Sequence, residues 1–177
     1  MSRENKPLLV CIATLTRRRP KMLEALIRSW SSLKIPDKVS PVFVVIENDD
    51  EEKSKSVIQN LEPLFNKGRL TYALEKEPGI PFARNRAAQE AINISADLLL
   101  FVDDDEEVDI EWLENIIAGY RNSDAKLIGA PLRAKKPKNK LNMIQNLMFR
   151  NINTDTKKRK IELLVKLRKA EHPGSPL

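Results

Sequence analysis

The sequence predicts an α/β fold: a mostly parallel sheet with flanking helices, carrying a basic helical extension at its carboxyl end. Two observations lead to it. Short runs rich in Val, Ile and Leu alternate with segments of helical period, the pattern of buried parallel strands joined by crossover helices. Three of those runs end directly in polar clusters, at residues 14–19, 47–50 and 103–107. In an open parallel sheet ligands bind beyond the carboxyl ends of the strands, because loops and helix amino termini converge there.

The first strand is expected at residues 7–14, and the helix after it opens at Pro20, whose fixed φ suits a first helical turn. Met22, Leu26 and Trp30 recur at four-residue spacing with Leu23 and Ile27 beside them, an apolar stripe that would pack on the sheet. A second strand at 42–46 leads into the acidic loop 47–52 and a helix through Val57, Leu61 and Leu64. Residues 69–74 form a third, weaker strand. Pro78 and Gly79 break the chain before an Ala-rich helix at 82–94. Residues 98–102 are the strongest strand and run straight into Asp103, Asp104, Asp105, Glu106 and Glu107. A helix follows with Ile110, Leu113, Ile116 and Ile117 on its buried side, and a strand at 126–130 closes the body. The body thus covers 6–131, and 132–177 is a basic tail with short helices expected at 143–149 and 157–170.

A chain of 177 residues suits one domain with a core plus a tail. No apolar run approaches the ~20 residues of a membrane span, and the amino terminus lacks the apolar stretch of a signal peptide, so a cytoplasmic protein is expected. Cys11 has no partner cysteine and sits in an apolar run, as a small core residue does. His172, the single histidine, falls in the tail, which leaves the body without Ser-His-Asp or Cys-His catalysis or a histidine-rich zinc site. Residues 1–130 carry 18 basic against 22 acidic side chains, a net −4, whereas 131–177 carry 13 against 3, a net +10. Basicity therefore belongs to the tail, and with few aromatics among its lysines no nucleic-acid partner is expected. The tail fits peripheral contact with an anionic membrane, an attraction that salt would screen.

Five consecutive carboxylates at a strand end repel one another, and a cation with oxygen-preferring coordination would relieve the repulsion. A solvated acidic loop that favours the next helix's amino terminus is the plainer alternative.

The segment LLLFVDDDEEVDIEWLENII resembles the Asp-X-Asp region of family 2 glycosyltransferases of the GT-A type. VCIATLTRRRPKMLEALIRSW is similar to the family's opening strand, turn and helix, VFVVIENDDEE to its second strand, and KEPGIPFARNRAAQEA to its Gly-X-X-X-Ala-Arg-Asn segment. The four occur in the family's order across residues 8–130, with a flavour of bacterial exopolysaccharide or lipopolysaccharide sugar transferases. The resemblance implies a GT-A, Rossmann-like fold and transfer of a sugar, with inversion, from a nucleotide-sugar (a UDP-sugar) to a glycan or lipid-linked acceptor. It implies Mn²⁺ or Mg²⁺ on Asp103 and Asp105, with Asp103 or Asp104 toward the nucleotide, Thr14 and Glu47 in the base and ribose pocket, and Arg84 and Arg17 toward the diphosphate.

The family's acceptor segment, with its catalytic carboxylate, has no counterpart after Pro131, where Asp155, Glu162 and Glu171 stand among lysines. A base from the tail, or from Glu106 or Glu107, would make a complete enzyme; without one the chain is a truncated, impaired nucleotide-binding remnant. A non-enzymatic protein acting through its basic tail is the alternative from another class. A dehalogenase-type phosphatase would need Thr or Val where Glu107 stands, and a receiver domain would need acids where the first strand ends in Thr14.

Overall fold

The computed structural model describes residues 6–124, 127–130 and 165–166. The first strand, β1 (Leu8–Thr16), is the middle of the sheet, and its alternate residues enter two different cores. Val10 and Ile12 face one side, where α1 (Pro20–Ser31) and α4 (Trp112–Arg121) supply Leu23, Leu26, Ile27, Trp30, Leu113 and Ile117. Cys11 and Ala13 face the other side, against α3 (Ile80–Asn93). Burial on both faces is why the strand reads as an unbroken apolar run. It also leaves Cys11 fully buried, with its thiol pushed up to about 12 by burial and then by the charge of Glu90.

β2 (Val39–Glu47) and β4 (Leu98–Phe101) flank β1 in parallel, and β3 (Arg69–Leu74) pairs in parallel with β2. The order is β3-β2-β1-β4-β5, where β5 (Val165–Lys166) runs antiparallel to β4 through Leu98 and Leu99. Helix α3 meets the sheet through Ala83, Ala87 and Ala91, all but fully buried, so its backbone lies close to the strands. Between β2 and β3 lies α2 (Lys55–Leu61).

Five expectations change. Met22 is 50% exposed, because the α1 stripe is completed by Leu23, Leu26, Ile27 and Trp30 and position 22 falls outside that arc. Helix α2 stops at Leu61 and gives way to a 3-10 turn, Glu62–Leu64, at Pro63, leaving Leu64 exposed. Ile110 lies ahead of α4 and is exposed, its carbonyl accepting the Lys34 amide at 2.9 Å. Residues 127–130 form no strand: Ile128 is buried against the core, and the open side of β4 is taken by β5. In the tail, Val165–Lys166 is strand where a helix was expected; the remainder of 131–177 lies outside the described residues. Among the described residues no helix is long and apolar enough to cross a membrane.

Candidate functional site

Parallel pairing brings three strand ends to one edge of the sheet. Thr16 pairs with Glu47 at the ends of β1 and β2, and Ala13 pairs with Phe101 at the end of β4. The Val102 amide then donates to the Ala13 carbonyl at 3.0 Å, so Asp103 emerges beside the turn that follows β1. That turn is Arg17, Arg18 and Arg19, and its central position sets three cations between two acidic strand ends.

Two of the arginines reach opposite ways. Arg18, at φ 57°, donates Nε to Asp49 Oδ2 at 2.7 Å and NH2 to Asp49 Oδ1 at 2.9 Å. The Asp49 side chain is nearly buried, and the Arg18 guanidinium holds its carboxyl well below the usual carboxylate range, helped by Asp50 and Lys53. Arg19 turns toward β4, meeting Asp104 at 3.0 Å and Asp105 at 3.7 Å. Arg17 is exposed and makes no ion pair among the described residues.

Glu47 was expected in a nucleotide pocket, and the structure buries it completely. Its carboxylate accepts the Ser54 amide at 3.0 and 2.9 Å, the Ser54 hydroxyl at 2.8 Å and the Tyr72 hydroxyl at 2.6 Å. Those donors answer the charge, so Glu47 braces the β2–α2 turn and offers no open oxygen. Thr14 is likewise fully buried, its hydroxyl without a partner among the described residues, and its side chain cannot line an open pocket. Thr16, two residues on and on the same face of β1, is the threonine at the strand end; its hydroxyl donates to Asp104 Oδ2 at 2.8 Å.

Asn48 also escaped the sequence reading. Its Nδ2 donates to the carbonyls of Glu75 at 3.1 Å and Glu77 at 2.6 Å, and its Oδ1 accepts the Gly79 amide at 2.8 Å. It thereby fixes the loop before α3, which enters the helix through Gly79 at φ 135°. On α3, exposed Arg84 stacks 5.9 Å above the Phe101 ring, at the end of β4 and two residues before Asp103. Arg86 instead pairs with Glu90 at 2.8 Å.

Within the acidic run, Asp104 is 5% exposed and Asp103 and Asp105 face solvent. Burial, then the charges of Asp103 and Asp105, raises the pKa of half-buried Glu106, against the opposing Asp103 amide. A cleft of about 180 Å³ runs beside this loop, lined by Lys21, Met22, Ala25, Asp105, Glu106 and Glu107. A larger groove of about 500 Å³ lies along the outer edge of β3, away from the carboxylate cluster. The chemistry favours the smaller cleft.

No group of three His, Cys, Asp or Glu side chains that could hold a metal occurs among the described residues. Magnesium is commonly held by one or two carboxylates plus substrate phosphates rather than by an all-protein cage. Two outward carboxylates, Asp103 and Asp105, fit that pattern of donors.

The profile of the family described as "Glycosyl transferase family 2" matches residues 10–171. Succinoglycan biosynthesis protein ExoM of Rhizobium meliloti (strain 1021) is 31% identical over 130 residues, 73% of this chain and 40% of that protein. The chain thus spans well under half the length of this relative. Among solved structures, S. aureus TarS 1-349 in complex with UDP-GlcNAc matches with TM-score 0.54 at 20% identity, over 74% of this chain and 37% of that one. Mannosyltransferase PcManGT from Pyrobaculum calidifontis, in complex with GDP-Man and Mn²⁺, matches with TM-score 0.56 at 20% identity, over 83% and 38%. These likenesses bear out the GT-A fold.

Proposed function

The chain belongs to glycosyltransferase family 2, and from that premise we propose that it binds a nucleotide-sugar, a UDP-sugar, at the joined ends of β1, β2 and β4. The sugar passes with inversion to a glycan or lipid-linked acceptor in polysaccharide biosynthesis. The observation that carries this reading is the pair of outward carboxylates, Asp103 and Asp105, flanking buried Asp104 beside an arginine turn.

Asp103 and Asp105 would hold Mn²⁺ or Mg²⁺, which when bound supplies positive charge to the departing nucleoside diphosphate. The chain's own cations add to that. Arg84, over the Phe101 ring, and Arg17, without an ion pair among the described residues, would meet phosphate oxygens, where positive charge stabilises the negative charge that grows as the sugar leaves. Glu47 and Thr14, both fully buried, would act on the nucleotide through the backbone they brace rather than through their own side chains. The tail, with its net +10, would keep the protein at the anionic inner face of the cell membrane, near lipid-linked acceptors.

Hydrolysis and transfer assays over a panel of sugar nucleotides test the activity. Turnover of a UDP-sugar that stops on chelation of the metal supports the reading; no turnover of any sugar nucleotide, with or without glycan acceptor, counts against transfer.

A further inference from the structure

Of the three aspartates after β4, the middle one is the most constrained. Asp104 Oδ2 accepts the Thr16 hydroxyl at 2.8 Å, and Oδ1 accepts Arg19 NH1 at 3.0 Å. The two donors stand 88 and 85 residues earlier in the chain, at the end of β1 and in the turn after it. A carboxylate is costly to bury unless donors meet its oxygens, and here each oxygen has its own. This pins the loop at residue 104 to the central strand. The flanking residues, Asp103 and Asp105, are exposed to solvent. Arg19 also lies 3.7 Å from Asp105, so one guanidinium touches both the anchor and one of the outward carboxylates.

The geometry points to Asp104 as a positioning residue of the donor site, with Thr16 and Arg19 as its anchors. It touches neither nucleotide nor cation; it holds Asp103 and Asp105 in the orientation that lets both meet one cation. This inference rests on the metal and nucleotide reading above. Groups that orient metal ligands without binding the ion govern affinity in this way.

The test uses the full chain as wild type, Asp104→Asn, Thr16→Val and Thr16→Ser. Mn²⁺ binding in the presence of UDP is read from the electron paramagnetic resonance of free Mn²⁺, and metal-free UDP binding from saturation-transfer NMR. Asp104→Asn and Thr16→Val should weaken Mn²⁺ binding about tenfold or more, as removal of a ligand-orienting group does. Metal-free UDP binding should not change, and Thr16→Ser, which keeps the hydroxyl, should bind Mn²⁺ as wild type does. The near-isosteric Thr16→Val carries the test even if Asp104→Asn fails to fold. Wild-type Mn²⁺ affinity in Thr16→Val would overturn the inference, as would a parallel loss of metal-free UDP binding, the mark of a generally loosened fold. A wild-type protein that binds UDP yet shows no Mn²⁺ binding would defeat the parent reading instead.

Discussion

Arg18 and Asp49 form a two-pronged ion pair between the turn after β1 and the end of β2, with contacts of 2.7 and 2.9 Å. The fork geometry of guanidinium and carboxylate makes this the strong form of such a pair, and it closes one flank of the proposed donor site. The other flank is closed by Arg19 and Asp104 at 3.0 Å. A single turn therefore ties the central strand to both neighbours at their carboxyl ends.

Because Arg18 lowers the Asp49 pKa, the pair's stabilisation is fully present above the unfolded carboxylate value of about 3.9 and is lost as pH falls toward the lower folded value. Arg18→Gln should be less stable than wild type at neutral pH. The gap should begin to narrow below about pH 4, where Asp49 takes up a proton in the unfolded chain, and go on narrowing as pH falls toward the lower folded value. Urea unfolding at a series of pH values reads this; a gap that stays constant down to acid pH would show that the ion pair contributes nothing specific.

Asn48 donates twice and accepts once, which Asp cannot imitate, since an ionised carboxylate only accepts. Asn48→Asp would set its charge against the Glu75 and Glu77 carbonyls. It should destabilise by about 1–3 kcal/mol for the buried groups left unpaired. Limited proteolysis should then nick the chain between residues 75 and 79 faster than in wild type. Equal nicking rates would mean that other contacts hold the loop.

Ala87 is fully buried where α3 lies against the sheet, with Ala83 and Ala91 one turn away on either side. Ala87→Leu should cost about 1–3 kcal/mol by overpacking, and Gln89→Ala on the exposed face should be close to neutral. Denaturant midpoints compare the two. A tolerated leucine would imply that α3 stands further from the strands than described.

The Ala-rich composition of this helix was legible before its reason was. The apolar runs of β1, β2 and β4 were readable because each is buried on both faces, and the aspartates followed because a strand end leaves little choice of place. The site was less legible. Thr14 and Thr16 share one face of β1, and only the register of β1 against β4 shows that Thr16 reaches Asp104 while Thr14 lies beneath the surface. Glu47 reads as a ligand from its strand-end position, yet Tyr72, 25 residues away, and Ser54 satisfy it. Met22 and Ile110 look like core residues in a one-dimensional pattern, whereas the helix arc and the late start of α4 leave both exposed. Tertiary partners decide Thr16 and Glu47, whereas the phase of α1 and the start of α4 decide Met22 and Ile110.

The central claim is that Asp103 and Asp105 bring a divalent cation and a nucleoside diphosphate together at the end of β4. Calorimetric titration of UDP, with and without Mn²⁺, on wild type and Asp105→Ala measures this directly. The account predicts that Mn²⁺ tightens UDP binding in wild type and that the gain disappears in Asp105→Ala. The same affinity with and without Mn²⁺ in wild type, or an undiminished gain in the variant, would contradict it.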